Sequence, residues 1–441
     1  MKLTQGSIEI INTLKENGFE GYVVGGAVRD AFLGNLSSDI DIATSATPEE
    51  MLKVFSNFKV YKTGIKHGTI TVQSAGEFIE VTTYRVESGY SDNRRPDTVD
   101  FVKDIKEDLK RRDFTINAMA YNEDGGLIDY FDGIPDLKNG VIRTVGNADE
   151  RFKEDALRIL RALRFASVLD FKIEEETQKA CIRNRSLLKN ISVERIYAEF
   201  NKLLVGKGAG RVLLENKEVI FEIIPELKDC DGFEQFSKYH CYDVYTHIVK
   251  SVEFSERDRL VRWALLLHDV KKPECFTLDQ NKTGHFYGHH LSSSKASREI
   301  LKRLKADNYT IEMVYKAVYM HDFETPTTKI AVKKFLKENG YEFLKILSKV
   351  KVGDALAHNS KYTEKRKENA YKFLKIANEV LENKECFELK TLAINGNDLK
   401  SVGFSGASIK TALDTLLNEV IEEKIENNKE KLLLRASLLK F

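Results

Sequence analysis

The chain has 441 residues, of which 42% are hydrophobic and 31% charged. This composition is ordinary for soluble globular proteins, and no run approaches the ~20 apolar residues that span a bilayer. Lys and Arg total 69 against 68 for Asp and Glu, so local clusters of charge, and not the net charge, would hold a polyanion. The sequence excludes a single small module and a membrane-spanning protein, and at about 150 residues per domain it predicts two to four domains.

Cysteine usage and the first residues indicate the compartment. The five cysteines are widely spaced and include no Cys-x-x-Cys pair, which argues against a disulfide framework or a thiolate zinc site. The segment MKLTQGSIEIINTLKENG alternates apolar and charged residues and lacks the apolar core of a secretory signal. We therefore expect a cytoplasmic protein.

The periodicity of apolar residues changes near residue 150. Before about residue 145 the chain contains strand-like runs between turn signals, such as GYVVGG, IDIAT, GTITVQS and FIEVTTYRV, which predict an α/β or α+β domain. Afterwards apolar residues recur at i, i+3, i+4 and i+7, as in EDALRILRALRFASVL, so the remaining two thirds are predicted to be mostly helical. All but two of the nine histidines fall between His240 and His321, which indicates an inserted, chemically distinct unit.

A glycine turn and an Asp-x-Asp pair form the first candidate site. In YVVGGAVRD, a predicted strand leads into Gly25 and Gly26 and then into a helix, whose N-terminus and Arg29 suit phosphate. Asp39 and Asp41 are alternate residues of the next predicted strand, so their carboxylates share a face. Neighbouring carboxylates repel unless a cation separates them, and hard oxygen ligands favour Mg²⁺. An isolated Asp-x-Asp is more often a solvated edge, but the preceding glycines and arginine favour the magnesium site.

Two later segments add polar candidates. Glu80 lies in the strand pattern FIEVTTYR and is a candidate third metal carboxylate, although an exposed strand glutamate fits the pattern equally well. Arg112 and Asp113 precede the apolar stretch of LKRRDFTINAMAY. A basic group of this kind suits triphosphate or sugar recognition, and a solvated charge run would look the same.

A polar ridge is predicted on one helix over RFKEDALRILRALRFAS. Asp155, Arg158, Arg161 and Arg164 recur every three residues, one turn apart. A carboxylate only accepts hydrogen bonds and a guanidinium only donates them. Asp155 would accept from the exocyclic amine of cytosine or adenine while Arg158 donates to the adjacent ring nitrogen, and uracil and guanine present the opposite polarity there. The alternative is a surface helix with three solvated arginines.

In this order, GGAVRD with DID, TGIKHGTITV, EVTTYRVES, RRDFTINAMA and RFKEDALRILRALRFA resemble the class II tRNA nucleotidyltransferases, the bacterial CCA-adding enzymes. The resemblance covers roughly residues 20–205 and continues in LAINGNDLKSVGFSGASIKTALDTLL. It implies an α+β fold with a mixed sheet in a small N-terminal nucleotidyltransferase palm, followed by mostly helical domains. The predicted domains are the palm at 1–145, the neck and body at 146–235, an HD-type metal domain at 236–360 and a tRNA-binding tail at 361–441.

The resemblance also implies an activity, its cofactor and its site. C, C and A would be added stepwise to the 3′ end of tRNA from CTP and ATP, with Mg²⁺ and with no membrane or protein partner implied. By motif position, Asp39 and Asp41 would bind Mg²⁺, and Glu80 joins them as a candidate catalytic residue. The nucleotide would contact residues in three roles: Gly26 and Arg29 at the turn, Arg112 and Asp113 at the triphosphate and ribose, and Asp155, Arg158, Arg161 and Arg164 at or near the base.

Two related activities remain as alternatives. Bacterial poly(A) polymerases share the palm motifs, and some bacteria divide the reaction between CC-adding and A-adding enzymes. TGIKHGTITV is similar to the CCA-adding pattern, and YRVESGYSDNRRPDTVDF resembles a flexible loop that CC-adding enzymes lack. An A-adding enzyme would keep that loop.

The histidine-rich insertion is similar to HD-domain metal phosphohydrolases. On that resemblance, the His-Asp pair of ALLLHDVKKP would join an upstream histidine and a downstream aspartate to ligate a divalent metal: His247, His268, Asp269 and Asp354. His289 and His321 would serve a second ion, whereas His240, His285 and His290 are left unassigned. Such ligands suit Mn²⁺, Ni²⁺, Fe or Mg²⁺. The expected activity is removal of a terminal or cyclic phosphate from RNA ends, either as an accessory activity or as the main role of the chain. A degenerate metal site is the alternative for this unit, and an RNA chaperone is a further alternative for the whole chain.

Overall fold

The computed structural model describes residues 1–35, 39–89 and 98–439. The chain divides into two compact units, Met1–Pro225 and Glu226–Phe441. The break lies near the predicted junction at residue 235, and the division into four domains stays a prediction. Within the described ranges, none of the helices combines the length and hydropathy of a membrane span.

The first unit is built on a mixed sheet. Its strands are β1 (Gly21–Val24), β2 (Asp41–Thr44), β3 (Lys59–Tyr61), β4 (Thr69–Ser74), β5 (Glu77–Thr83), β6 (Arg85–Ser88), β7 (Thr98–Phe101), β8 (Met119–Asn122), β9 (Gly126–Asp129), β10 (Val141–Ile142) and β11 (Lys172–Ile173). The main sheet has the order β3-β4-β5-β2-β1-β8-β9. Only β2 and β5 pair in parallel within it, as far as the described residues extend. The predicted α+β fold with a mixed sheet is confirmed.

Alternation of apolar residues places the core of this sheet. Ile70 and Val72 on β4, and Ile79 and Val81 on β5, are fully or almost fully buried, while the residues between them are partly or well exposed. Period two puts one face of a strand against the core. The buried face packs against the first helix, Gln5–Glu16.

Short helices surround and follow the sheet. They are α1 (Gln5–Glu16), α2 (Gly26–Phe32), α3 (Pro48–Val54), α4 (Ile105–Lys110), α5 (Gly133–Asn139), α6 (Ala148–Glu154), α7 (Leu157–Leu169), α8 (Glu175–Asn184), α9 (Val193–Leu204), α10 (Ala209–Glu215) and α11 (Lys217–Ile223). Short 3-10 helices span Ile65–His67, Thr115–Asn117 and Arg185–Asn190. α7 packs mainly against α9, which brings two charged helix faces together.

The predicted continuous helix over RFKEDALRILRALRFAS is wrong. α6 ends at Glu154 and α7 begins at Leu157, with Asp155 between them in an extended conformation, φ −135° and ψ 104°. The Asp155 carboxylate accepts a hydrogen bond from the Leu157 amide at 3.0 Å, so it caps the second helix. Asp155 therefore does not lie on the arginine ridge of α7.

The second unit is helical. Its helices are α12 (Val244–Phe254), α13 (Arg259–Leu267), α14 (His289–Arg303), α15 (Asn308–Met320), α16 (Lys329–Asn339), α17 (Tyr341–Leu356), α18 (Ser360–Glu382), α19 (Gly396–Ser401), α20 (Ala407–Ile421) and α21 (Lys429–Ser437). Further 3-10 helices span Pro225–Cys230, Pro273–Cys275 and Leu389–Thr391, and β12 (Thr277–Leu278) pairs with β13 (Gly284–His285) in a hairpin.

A glycine allows close helix packing in this unit. α13, buried from Val261 to Leu267, contacts α12, α15 and α17. At Gly353 on α17 an added Cβ would lie 2.6 Å from the Leu265 side chain and 3.1 Å from the Ser251 carbonyl. The close approach places Asp354, the next residue, against the histidines of α12 and α13.

Candidate active site and candidate metal centre

The glycine turn lies next to the aspartate strand. β1 and β2 are antiparallel neighbours, and Val24 faces Asp41 across the pair. Gly25 follows with φ 72° and ψ −131°, and an added Cβ there would lie 2.9 Å from an Arg112 Nη atom. The positive φ and the close approach both require glycine. The turn therefore allows Arg112 to lie close to the backbone beside Asp41.

Asp41 also faces a second carboxylate. β2 and β5 run in parallel with Asp41 opposite Glu80. Displacement of water by the surrounding protein and the charge of Glu80 raise the pKa of Asp41, and Arg112 opposes this. Among the described residues, Asp39, Asp41 and Glu80 do not form a set with ligand atoms within 4.8 Å of one another. Hard oxygen donors that repel each other fit a divalent cation, and the role of Glu80 as a third ligand stays a prediction.

Asp41 lines a cavity of about 410 Å³, which we call the arginine cavity. Its walls include every residue that the sequence predicts for nucleotide binding, namely Gly26, Arg29, Arg112, Asp113, Asp155, Arg158, Arg161 and Arg164. The structure thus brings eight predicted residues together with one candidate metal carboxylate. Asp39 and Glu80 are not among the described residues that line it.

The buried carboxylate of Asp113 has partners on both oxygens. Oδ1 accepts hydrogen bonds from the Phe114 amide at 2.8 Å and Asn117 Nδ2 at 3.1 Å, and Oδ2 accepts from Arg161 Nε at 2.8 Å. Although burial opposes ionisation, Arg161 and Asn117 lower the pKa of Asp113 to about 2. Asn117 also accepts from Arg29 at 2.7 Å, so one amide joins two sides of the cavity. A ribose hydroxyl would have to share these acceptors, and the ribose-reading role of Asp113 stays a prediction.

The two predicted base-reading residues have separate partners. Asp155 Oδ2 accepts from Arg195 on α9 at 2.9 Å. Arg158 is paired with Glu154 and donates to the Arg111 carbonyl at 3.0 Å. Asp155 and Arg158 therefore line the same cavity. Within the described residues, no hydrogen bond joins their two side chains.

Sequence reasoning missed the residues that hold the arginines of α7. Arg164 Nε lies 2.6 Å from Glu199 Oε2, and its guanidinium lies 3.7 Å from the centroid of the Phe165 ring. Arg195 and Glu199 are one turn apart on α9, and this i, i+4 spacing in SVERIYAEF was the available signal. Phe165 and Asn117 carried no comparable local signal.

The histidine-rich insertion folds into one cluster. The histidine cluster comprises the predicted ligands of both ions, His247, His268, Asp269, His289, His321 and Asp354. His247 Nε2 lies 3.1 Å from Asp354 Oδ1 and 3.3 Å from His268 Nε2. The ligand atoms of these three residues lie within 4.8 Å of one another, and all three residues are buried.

Asp269 lies between two groups of histidines. Its Oδ2 is 3.2 Å from His268 Nε2, and its Oδ1 is 3.3 Å from His289 Nε2 and 3.7 Å from His321 Nε2. Neither oxygen accepts a hydrogen bond of regular geometry within the described ranges, although Lys272 Nζ lies 2.6 Å from Oδ2. A buried carboxylate in this position fits a ligand shared by two cations.

Backbone carbonyls orient the imidazoles. Nδ1 of His268, His289 and His321 donates to the carbonyls of Leu265, Phe286 and Val318 at 2.7, 2.8 and 2.6 Å. With that proton on Nδ1, the Nε2 atoms of His289 and His321 are left as acceptors, and these two atoms lie only 3.2 Å apart. Lone pairs facing one another are what a metal ion would bind, and the carbonyls are typical partners of metal-binding histidines.

The histidines of the cluster differ in the direction of their pKa shifts. Burial lowers the pKa of His247 and of His321. Burial also disfavours protonated His268, but the Asp269 carboxylate prevails and raises the pKa of His268 to about 10. A bound metal would replace that proton. His358, which sequence reasoning missed, donates from Nδ1 to the Asp354 carbonyl at 2.8 Å and accepts from Arg366 at 3.0 Å, so neither ring nitrogen is left for a metal.

Family models match three parts of the chain. The model of the poly(A) polymerase head domain matches residues 21–143, that of the RNA- and SrmB-binding site of polymerase A matches 170–230, and that of tRNA nucleotidyltransferase domain 2 matches 286–436. With the mixed sheet and the arginine cavity, these matches define a nucleotidyltransferase. Nucleotidyltransferases of this kind use a divalent metal ion.

One curated relative is matched over nearly its whole length. The CCA-adding enzyme of Limosilactobacillus fermentum is 37% identical over 434 residues, 98% of this chain and 96% of that enzyme. This chain therefore belongs to the family of CCA-adding enzymes. The alignment with a second relative is shorter: the CCA-adding enzyme of Ligilactobacillus salivarius is 45% identical over 58% of this chain and 66% of that enzyme's length. The family and the enzyme class predicted from the sequence are confirmed.

Solved structures show the same fold. The crystal structure of the Bacillus stearothermophilus CCA-adding enzyme in complex with CTP has a TM-score of 0.71 and 29% identity, covering 99% of this chain and 97% of that one. A CCA-adding enzyme in complex with ATP has a TM-score of 0.59 and 26% identity, covering 98% of this chain and 92% of that one.

Asp113 predicts a pH-dependent contribution to stability. Its folded pKa lies below the ordinary value of 3.8, so the carboxylate contributes stability above about pH 4 that is lost as the pH falls toward 2. We expect Asp113→Asn to lower the free energy of unfolding by about 2 kcal/mol at pH 7 and by about half as much at pH 3. Hydrogen exchange of the α7 amides measures this in the unit that holds Asp113. The exposed Asp124→Asn serves as the control, and an equal loss at both pH values would contradict the prediction.

Proposed function

We propose that this chain adds C, C and A to the 3′ end of tRNA from CTP and ATP without a nucleic-acid template. The arginine cavity carries the proposal, because it places the acidic strand β2 and six guanidinium groups around one space of nucleotide size. Guanidinium groups bind phosphates through paired hydrogen bonds. The full-length relatives of this family support the same activity.

Asp39 and Asp41 would hold Mg²⁺, with Glu80 as the candidate third carboxylate. When bound, this ion neutralises charge on the transferred phosphoryl group and activates the attacking hydroxyl. Arg29 and Arg112 would bind the triphosphate, since they flank the glycine turn beside Asp41. Arg161, held by Asp113, would keep a fixed set of donors toward the nucleotide.

Asp155 and Arg158 would select the base. Cytosine and adenine each present an amine beside a ring nitrogen, which matches one acceptor and one donor. Both side chains are already paired with protein groups, Asp155 with Arg195 and Arg158 with Glu154. A correct base would have to take over hydrogen bonds from these partners. A wrong base would offer no hydrogen bonds in exchange for these pairs, which disfavours its binding.

A-adding and poly(A)-adding activities are not favoured. The relatives matched here are CCA-adding enzymes, and one of them binds CTP in its crystal structure. The segment YRVESGYSDNRRPDTVDF contains the loop expected to separate CC-adding from A-adding enzymes, and its residues 90–97 lie outside the described residues. Neither a phosphohydrolase as the main role nor an RNA chaperone is favoured by these relatives. Incorporation of single nucleotides into tRNA ends separates all of these activities.

Asp41 is expected to be essential for addition. In Asp41→Asn the negative charge that holds the cation is removed, so we expect incorporation to fall roughly 10³-fold, because the ion supplies several kcal/mol of charge stabilisation. The measurement offers tRNA ending without CCA, with C or with CC, together with labelled CTP or ATP. Binding of tRNA in a gel-shift assay should persist, and Asp124→Asn is the matched control. Wild-type protein that accepts ATP but never CTP would instead indicate an A-adding enzyme.

Base choice is expected to depend on Asp155. Asp155→Ala removes the acceptor for the exocyclic amine, so preference for CTP and ATP over UTP and GTP should fall by about tenfold or more, the value of one or more lost hydrogen-bond contacts. Competition among the four nucleotides measures the preference. Arg195→Met is a companion variant, since it releases Asp155 without removing it. An Asp155→Ala enzyme with the wild-type preference would refute the base-reading role.

A metal-dependent phosphohydrolase in the second unit is a second candidate function. The histidine cluster favours it, because buried Asp269 lies between two groups of acceptor atoms. A divalent ion there would act as a Lewis acid toward a phosphoester. The substrate class we propose is the terminal or cyclic phosphate of an RNA end, as an activity accessory to addition.

The histidine cluster is expected to bind two divalent ions per chain. Asp269→Asn should abolish uptake at both positions, because Asp269 has one oxygen beside each histidine group, while His321→Ala should remove about one ion. Mass spectrometry of metal content after incubation with Mn²⁺ and gel filtration measures this in an Asp41→Asn background. Glu299→Gln, exposed on α14, is the control. Wild type that takes up no metal would show a degenerate site.

A further inference from the structure

A cavity of about 370 Å³ opens over the histidine cluster. Asp269, His289, His321 and Asp354 line its inner wall. Its outer wall includes the segment 283–290, which leads from the β12–β13 hairpin into α14. Within this segment the side chains of His285 and Tyr287 take no part in the candidate metal centre.

Tyr287 presents an exposed ring at this cavity. It is 77% exposed, and the His285 ring lies parallel to it, with centroids 5.2 Å apart and 5° between the planes. His285 Nε2 donates to Asp279 at 3.2 Å, which leaves Nδ1 to accept from the Tyr287 hydroxyl at 3.3 Å. His285 therefore supports one face of Tyr287, and most of the remaining ring surface is open.

The hairpin that carries this pair is held in place. Asp279 Oδ1 accepts from the amides of Asn281 and Thr283, each at 2.8 Å, which closes the turn. At Gly284 an added Cβ would lie 2.3 Å from the Gln235 carbonyl, so β13 packs directly against the backbone at Gln235. The Phe276 ring contacts the rings of three other phenylalanines, Phe233, Phe236 and Phe286, at centroid distances of 5.3 to 5.8 Å. The Tyr287 ring is thus fixed relative to the cavity.

Two cations line the same cavity. Lys272 Nζ lies 2.6 Å from Asp269 Oδ2. Arg366 donates one hydrogen bond to His358, and its side chain is 45% exposed, so other donors of its guanidinium face the opening. Metal ligands and cations suit a phosphate group, and an exposed aromatic ring suits a base.

We propose that Tyr287 is a stacking platform for a nucleobase, so that the cavity takes a nucleotide whose phosphate lies at the histidine cluster. The inference rests on the proposed phosphohydrolase function of this unit and names its substrate class. Because every base has a stacking face, Tyr287 would favour a nucleotide over a phosphoester without a base, and would not select one base. The nucleotide is either free or the 3′ end of an RNA, which share this chemistry.

Binding is tested directly by fluorescence of 2-aminopurine riboside 3′-monophosphate, which is quenched on stacking. We expect Tyr287→Ala to weaken binding and quenching roughly tenfold, the lower part of the range for one stacked base. Tyr287→Phe, which keeps the ring, should remain within about threefold of wild type. The control is Tyr309→Ala, at an exposed tyrosine of α15. Any binding to the arginine cavity is common to all four proteins, so the difference reports Tyr287.

Hydrolysis separates this inference from the proposed function. With Mn²⁺ present, Tyr287→Ala should raise KM for a nucleoside 3′-monophosphate about tenfold more than for glycerol 2-phosphate, which has no base. Tyr287-dependent quenching without hydrolysis by wild type would refute the phosphohydrolase and keep the platform. Hydrolysis and quenching that are unchanged in Tyr287→Ala would refute the platform. An oligoribonucleotide ending in the same fluorescent 3′-phosphate distinguishes an RNA end from a free nucleotide by its tighter or weaker Tyr287-dependent binding.

Discussion

Mutual repulsion of six arginines is the constraint on which the arginine cavity depends. Like charges so close destabilise a fold unless acids compensate them, and each of these guanidiniums has a carboxylate at its side. The pairs are Asp30 with Arg29, Asp108 with Arg111 and Arg112, Asp113 with Arg161, Glu154 with Arg158 and Glu199 with Arg164. A guanidinium has five N–H donors, so a carboxylate can hold one edge and leave another for a ligand. The acids thus hold the arginines in place and leave some of their N–H donors for a ligand.

The histidine cluster poses the opposite problem. Its acceptors outnumber its donors. Three imidazoles donate their Nδ1 protons to backbone carbonyls, and Asp269 accepts no hydrogen bond of regular geometry within the described ranges. The cations nearby include Lys272 and Arg366, and Asp269 raises the pKa of His268 to about 10 against the effect of burial. Divalent ions would supply the missing positive charge. In both units, therefore, an unbalanced set of charges marks the candidate site.

Local sequence patterns predicted the sites better than the contacts that build them. Strand alternation located Asp41 and Glu80, which are paired in register across β2 and β5, whereas Asp39 lies just before β2. Helical periodicity located the arginines of α7 but wrongly continued through Asp155. The Asp155 carboxylate instead accepts from the Leu157 amide two residues on, and apolar periodicity does not reveal this competition between side chain and helix. Partners such as Arg195 and Glu199 are 35 or more residues away from theirs, so only the packing of α7 on α9 reveals them.

The two sites would also differ in the metals they select. Asp39 and Asp41 offer carboxylate oxygens, which suit Mg²⁺, while four imidazoles and two carboxylates suit transition metals. Geometry and donor type, more than raw affinity, decide which ion a site holds. A chain with both donor sets can therefore bind different ions in its two units at the same time. The addition of nucleotides and the hydrolysis of a phosphoester would then depend on separate metal supplies, even though one polypeptide carries both.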